Sequence, residues 1–333
     1  MLTWPHANTD WGANLAEVEA VFINISRAIL AHEALIITCA NTAHKQAVQH
    51  KLEQAQIPLT NIAFYIHESN DNWARDHGPI TILENDQPQL LDFEFNGWGN
   101  KYPADKDNQL SYALYKQSAF GNTPFTRPPF VLEGGSFDSD GQGSLLTTTN
   151  CLLSPQRNPS LNKTAIEKQL HHYLGTKRIL WLEHGHLQGD DTDSHIDMLA
   201  RFCDPKTIAY SSCDNEDDEH FAALQSMKNE LMAFRTNKNR AYKLVPLPIP
   251  QAITNKAGQR LPASYTNFLI INQAVLVPRY HDPADEIAIS MLQTCFPHRQ
   301  MIGINCLPII QQYGSLHCLT MQLPQESEQT NEI

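Results

Sequence analysis

Apolar side chains recur along the chain at two spacings, one near 3.6 residues and one near 2, and the two alternate. Residues 14–31 carry the helical spacing, and Leu35-Ile36-Ile37-Thr38-Cys39 then reads as a buried strand. A shorter helix over 42–55 leads to the strand Ile62-Ala63-Phe64-Tyr65-Ile66. Helical segments are predicted near 107–118, 162–174, 216–235 and 283–295, each followed by a strand-like run. Those runs are Pro129-Phe130-Val131-Leu132, Arg178-Ile179-Leu180-Trp181, Tyr242-Lys243-Leu244-Val245 and Gln300-Met301-Ile302-Gly303-Ile304. Hairpin-like pairs intervene, 80–83 with 89–95 and 267–271 with 274–278 across Asn272-Gln273. The recurring unit is strand–strand–helix–strand, at a period of roughly sixty residues. Sequence identity between units is not visible, so a repeat architecture rests on pattern alone. No low-complexity linker interrupts the chain, and only the tail after Pro324 reads as disordered.

Composition narrows the function. A chain of 333 residues with 41% hydrophobic content can bury a large core, as one large or two ordinary domains. Lys plus Arg number 24 against 36 Asp plus Glu, a formal net charge of −12. That balance weighs against nucleic acid and anionic membrane as partners and suits a cationic ligand. No run approaches the roughly 18 apolar residues of a membrane span. The start, Met1-Leu2-Thr3-Trp4-Pro5-His6, has neither a basic leader nor the apolar stretch of a secretory signal. The seven cysteines form no Cys-x-x-Cys pair, and Cys39 and Cys306 sit in apolar runs as small buried hydrophobes. The expected compartment is the reducing cytosol.

Four motifs carry chemistry. Cys318 follows the short loop Gln312-Tyr313-Gly314-Ser315 and precedes the strand-like Leu319-Thr320-Met321-Gln322-Leu323, a junction that can present sulfur to a cavity. His195 and Asp197 stand two apart, so a strand through them would put both side chains on one face. Glu133-Gly134-Gly135 ends the run Phe130-Val131-Leu132; the glycines permit close backbone approach, and the glutamate can orient an imidazole. Trp73-Ala74-Arg75-Asp76-His77-Gly78-Pro79 offers an aromatic wall beside an anion, suited to a delocalised cation. Each has a plainer reading: a buried structural cysteine, a surface His–Asp pair, a solvated turn glutamate, a tryptophan core anchor.

A metal-hydrolase reading of His184, His186, Asp190, Asp191, Asp193, His195 and Asp197 finds no catalytic zinc spacing such as His-Glu-x-x-His. It also leaves Cys318 and Glu133 without roles. A papain-like cysteine hydrolase would place its cysteine near the other end of the chain, within a local signature absent here.

Taken together, Trp73-x-Arg75-Asp76-x-Gly78-Pro79, Glu133-Gly134-Gly135, Asp191-Thr192-x-x-His195-x-Asp197 and His317-Cys318 resemble the agmatine deiminase family in order and separation. The likeness extends from Trp4-Pro5 to about Pro324 and takes in Phe95-Asn96-Gly97-Trp98-Gly99. That family lies within the guanidine-modifying superfamily, beside arginine and peptidylarginine deiminases and amidinotransferases. One departure is local: many members carry a glycine-rich triplet where this chain has Gln312-Tyr313-Gly314-Ser315.

The resemblance implies an α/β pentein propeller, five pseudo-symmetric strand–strand–helix–strand repeats in one catalytic domain over residues 1–324. It also implies site roles. Asp76 and Asp197 would hold the guanidinium of a small cationic substrate, Cys318 would attack its carbon, and His195, held by Glu133, would move protons. Trp73, Trp98, Asp191 and Gly314 would contact substrate, with no metal and no cofactor required. The expected reaction is agmatine to N-carbamoylputrescine and ammonia, as in putrescine biosynthesis. A free-arginine or peptidylarginine deiminase would use the same catalytic set, and a homodimer is compatible with the family. The non-enzymatic alternative, a binding protein for cationic amines, would need the acidic pocket but no cysteine beside a histidine.

Overall fold

A computed structural model describes residues 1–323, so the tail expected after Pro324 lies outside the described residues. The helix Leu15–Leu30 buries Val18, Val21, Phe22, Ile25, Ala28 and Ile29 along one face, as its spacing requires. Helices Thr42–Gln54 and Lys163–Leu174 begin where Asn41 and Asn162 accept a backbone N–H three residues on, from His44 (2.9 Å) and Ala165 (3.0 Å). Helices Asp107–Lys116, Phe221–Ala233 and Ala284–Cys295 fill the remaining predicted segments, the second starting later than expected.

These elements build five three-stranded sheets among the described residues. The first holds β1 (Leu2–Thr3), β2 (Leu35–Cys39) and β3 (Ile62–Ile66), all parallel. The second holds β4 (Ile80–Glu84), β5 (Gln87–Leu91) and β6 (Phe125–Thr126); the third β7 (Phe137–Ser139), β8 (Ser144–Thr148) and β9 (Arg178–Leu182). The fourth holds β10 (Ala200–Asp204), β11 (Thr207–Ser212) and β12 (Lys243–Pro248); the fifth β13 (Leu269–Ile271), β14 (Ala274–Arg279) and β15 (Gln300–Asn305). In each of these last four sheets an antiparallel hairpin is followed by a helical crossover to a parallel third strand. The first sheet gains its antiparallel neighbour from the far end of the chain, where Thr320 bridges Leu2. The Met1 amino group also donates to the Met321 carbonyl (2.8 Å).

Three local expectations change. Residues 129–132 form no strand; prolines 128 and 129 lack an N–H to donate, and only Val131 bridges, to Glu94. His195 and Asp197 do not alternate along a strand. Asp193 and Ser194 are left-handed (φ 66° and 65°), a tight turn spans Ile196–Met198, and the strand starts only at Ala200. Cys318 likewise lies in a 3-10 turn, His317–Leu319, followed by the single bridging residue Thr320.

The segment entering the first strand of each unit carries a polar residue inward. Asp76 precedes Ile80, Glu133 precedes Phe137, Asp197 precedes Ala200, Asn267 precedes Leu269 and Cys318 precedes Thr320. These segments touch in turn. The Gly135 N–H donates to Asp76 Oδ1 (2.9 Å), the Asp197 N–H to the Gly135 carbonyl (3.3 Å), and Asn267 Nδ2 to the Asp197 carbonyl (3.4 Å). Asn267 Nδ2 also reaches Cys318 Sγ (3.3 Å), and Arg75 Nε donates to the His317 carbonyl (3.4 Å), which closes the circuit.

Candidate active site

Over this circuit opens a cavity of about 320 Å³, in the range of small-molecule sites. Asp76, His195, Asp197 and Cys318 line it, as do Trp73, Trp98, Asp191 and Gly314. Glu133 does not; it is fully buried, with a carboxylate oxygen within 4.8 Å of a His195 ring nitrogen.

Each side chain is held by contacts that the local sequence explains. Asp76 accepts the indole N–H of Trp98 at Oδ2 (3.0 Å) and the Gly135 N–H at Oδ1. Trp98 reaches it from a left-handed backbone (φ 54°), costly for a bulky residue and kept only where the surroundings fix it. Gly97 and Gly99 on either side also have positive φ, which favours glycine there. Asp197 accepts the Nδ1–H of His317 at Oδ2 (2.8 Å), and the Cys318 thiol lies 3.6 Å from that oxygen. Asp197 Oδ1 and His195 Nε2 are buried without a partner. Both residues line the cavity, so a ligand there could partner these two atoms. Gly314 lies against the Trp73 ring, where a Cβ would meet indole carbon at 2.2 Å. Tyr313 beside it adopts φ 66°, the conformation a glycine would take without strain.

The acidic run before His195 divides its work. Asp190 accepts from the Thr192 hydroxyl (2.6 Å) and the Ser194 N–H (2.7 Å), pinning the left-handed turn. Asp193 is paired with Lys101 (2.7 Å) and Arg157 (2.6 Å). Only Asp191 of the three lines the cavity, where it accepts the Tyr102 hydroxyl (2.8 Å). Arg157 also spans the turn, donating to both Glu133 oxygens (2.8 and 3.0 Å) and to the Thr192 carbonyl (2.9 Å). Both Glu133 oxygens are thus committed to Arg157, and the carboxylate facing the His195 ring is Asp76, with Oδ1 3.7 Å from Nδ1.

Electrostatics follow from packing acids and a thiol into one dry centre. Burial, then the mutual charge of Asp197 and Glu133, pushes the Asp76 carboxyl well above its usual range. Burial pushes Asp197 up to about 6, against the pull of Arg201 and Arg75. The Cys318 thiol is pushed well above its ordinary value by burial and by Asp197 and Asp76. Burial, then Arg157 and Lys101, holds His195 well below the usual imidazole range. The site is thus rich in buried acid, and a guanidinium placed between the carboxylates would favour the ionised forms of Asp76, Asp197 and Cys318.

Arg75 and Arg201, the cations nearest these motifs in sequence, do not line the cavity. Arg75 is spent on the His317 carbonyl and Gln322, and Arg201 on Asp138 and the Phe268 carbonyl. Sequence reasoning missed Asn267, Arg157 and the pair Asp71 and Asp107. Asp71 accepts two indole N–H groups, from Trp11 and Trp73 (3.0 Å each), and lines the cavity. A cluster of Glu133, Cys151 and His195 has metal-ligand atoms within 4.8 Å of one another, but Arg157 already neutralises Glu133.

The model of the Porphyromonas-type peptidyl-arginine deiminase family matches residues 1–324. A Vibrio parahaemolyticus protein, provisionally named agmatine deiminase, is 34% identical over 97% of this chain and 93% of its own length. The structure of a cysteine-to-serine variant of C. jejuni agmatine deiminase with substrate bound is similar with a TM-score of 0.88. It is 38% identical and covers 96% of this chain and 91% of its own. A Porphyromonas gingivalis structure provisionally named arginine deiminase has a TM-score of 0.91 at 46% identity, over 98% of this chain and 95% of its own. The sheet pattern is the α/β pentein fold. By the family model and by identity along nearly its whole length, this chain belongs to the Porphyromonas-type peptidyl-arginine deiminase family.

Proposed function

We propose that the protein is an agmatine deiminase, a hydrolase acting on the C–N bond of a linear amidine, and that residues 1–324 work as one catalytic domain. Its five sheets would stand around a pseudo-fivefold axis as a propeller, a reading supported by the closed circuit of contacts between entering segments. The observation that carries the function is one cavity offering a thiol, an unpartnered imidazole nitrogen and an unpartnered carboxylate oxygen among further acids.

In this reading Asp76 and Asp197 accept N–H bonds from the guanidinium and turn its central carbon toward sulfur. The substrate's charge lowers the thiol pKa, Cys318 passes its proton to His195, and the resulting thiolate adds to that carbon. His195 delivers a proton to one nitrogen, the C–N bond breaks, and ammonia leaves an S-alkylthiouronium on Cys318. Water deprotonated by His195 then adds to the same carbon, the C–S bond breaks, and the ureido product departs as the thiolate reforms. One water is consumed and one ammonia released. The positioned carboxylates hold the charge throughout.

Agmatine is favoured over arginine because Asp10, Asp71, Asp107 and Asp191 also line the cavity, and a ligand's ammonium beside them would favour their ionised forms where an α-carboxylate would oppose them. An α-carboxylate would need a free cation there, and the lining Lys106 is already paired with Glu68 (2.9 Å). The test is a panel of agmatine, free arginine, a C-terminal-arginine peptide and an internal-arginine peptide, scored for ureido product and ammonia. Agmatine should exceed arginine at least about a hundredfold in kcat/KM, equivalent to about 2.7 kcal/mol. Cys318→Ser should abolish turnover, and iodoacetamide should label Cys318 unless substrate protects it. Comparable rates on arginine or peptide would overturn the substrate; full activity in Cys318→Ala would overturn the chemistry.

A further inference from the structure

The segment entering the fifth sheet, Ser264-Tyr265-Thr266-Asn267, brings no carboxylate, imidazole or thiol of its own, yet Asn267 is fully buried against the sulfur. Its carboxamide orientation is fixed. Oδ1 accepts the His317 backbone N–H at 2.8 Å, a bond that only the oxygen can make. Nδ2 is then the nearer carboxamide atom to Cys318 Sγ, at 3.3 Å, with Oδ1 at 3.6 Å able to accept the thiol proton before it is lost. The Asn267 backbone carbonyl accepts from the same His317 N–H (3.2 Å), so the side chain and main chain grip the turn that carries the nucleophile.

Beside the Ser315 backbone, Asn267 supplies the side-chain hydrogen bond that favours the ionised sulfur. Its surroundings include Asp197 at 3.6 Å, with Asp76 across the cavity; His317 is committed to Asp197, and His195 lines the same wall. Arg75 and Arg201 act only from behind, each spent on a backbone carbonyl. We propose that Asn267 is a catalytic residue, whose carboxamide N–H donates to the Cys318 sulfur and stabilises the thiolate that attacks the guanidinium carbon. Once substrate has bound and the thiolate has reacted, the same N–H is aimed at the departing sulfur when the C–S bond breaks. Hydrogen bonds to a thiolate count for more than those to a thiol, so the contact favours the charged form.

This inference rests on the deiminase reading, but its test does not. The rate of iodoacetamide alkylation at Cys318, mapped by peptide mass spectrometry as a function of pH, reports thiolate formation without any substrate. Asn267→Ala removes the donor without adding charge. Its alkylation midpoint should rise by at least about one pH unit, with kcat lower and KM for agmatine nearly unchanged. Asn267→Asp keeps acceptors for the His317 and Cys318 N–H groups, and it serves if the alanine variant does not fold; its midpoint should rise as well. An unchanged midpoint in whichever variant folds would overturn the proposal, even if melting temperature and activity both fell, because that pattern describes a purely structural residue. If no guanidine is turned over by the wild type, the alkylation profiles still decide whether Asn267 tunes Cys318.

Discussion

Gly135 lies so close to His195 that a Cβ on the glycine would meet the imidazole Nδ1 at 2.6 Å. The same added carbon would meet Asp76 Oδ1 at 2.9 Å and Asp197 Oδ2 at 3.2 Å. No left-handed backbone is involved, so the requirement for glycine is one of space alone. Gly135→Ala should leave the fold and melting temperature nearly intact while displacing three side chains of the site. A loss of at least about a hundredfold in kcat/KM is expected, the scale on which small misplacements act. Near wild-type kinetics would show that the centre is slack.

The carboxylates should separate by kinetic signature. Asp76→Asn and Asp197→Asn remove contacts to a cation present in both ground and transition states, so KM should rise and kcat fall together. Their combined effect on kcat/KM should be on the order of 10²- to 10⁴-fold. Glu133 touches Arg157 instead of the cavity, so Glu133→Gln should lower kcat with KM nearly unchanged. Equal, mild effects from all three would count against this division.

Activity should fail on the acid side through a pH near 6. Asp197 takes up a proton there, and a neutral carboxyl no longer attracts the guanidinium. Asp197→Asn, measured at its residual rate, should lose that limb of the kcat/KM profile. An unaltered acid limb in the variant would assign it to another group.

Stability should move the opposite way with pH. Burial raises Asp107 to about 8 and Asp71 to about 7 in the folded protein. The native state then binds more protons than the unfolded chain between the ordinary carboxylate range and these values. Stability is complete below about pH 4 for these groups and declines as pH rises through 7 and 8, on the order of 1 kcal/mol per unit for each group. Melting temperature of the ligand-free protein should fall from pH 5 to 8, and Asp107→Asn should flatten the decline. Parallel curves for variant and wild type would exclude Asp107 as the source.

Substrate choice should respond to Asp191, the member of its acidic run that faces the cavity. Asp191→Asn should lower kcat/KM for agmatine at least about tenfold, and for arginine much less. Asp193→Asn loosens Lys101 and Arg157 instead and should affect both substrates alike. A fall of equal size for both substrates in Asp191→Asn would remove it from recognition of the distal amine.

The sequence was most legible where periodicity is long and local. The helices Leu15–Leu30, Lys163–Leu174 and Ala284–Cys295 lie within a residue or two of their expected bounds. The motif residues Asp76, His195, Asp197 and Cys318 line one cavity. Backbone detail was less visible, because the left-handed turn at Asp193 and Ser194 is held both by the nearby Asp190 and by Arg157 and Lys101, which reach Asp193 from far away in sequence. Arg157 itself sits in a loop without pattern, and its ligands are Glu133 and Asp193 on either side. Asn267 reads as the start of an apolar strand; what could have exposed it is its offset before β13, matching that of Cys318 before Thr320.

The bridge between Leu2 and Thr320 gives the protein an order of assembly. The acids at 76 and 197 and the imidazole at 195 leave the ribosome well before the thiol at 318, and the turn bearing that thiol is tethered to the first strand of all. Closure of this end-to-end junction, Leu2 with Thr320 and Met1 with Met321, also completes the site, so recovery of activity after dilution from denaturant should lag the return of helical signal.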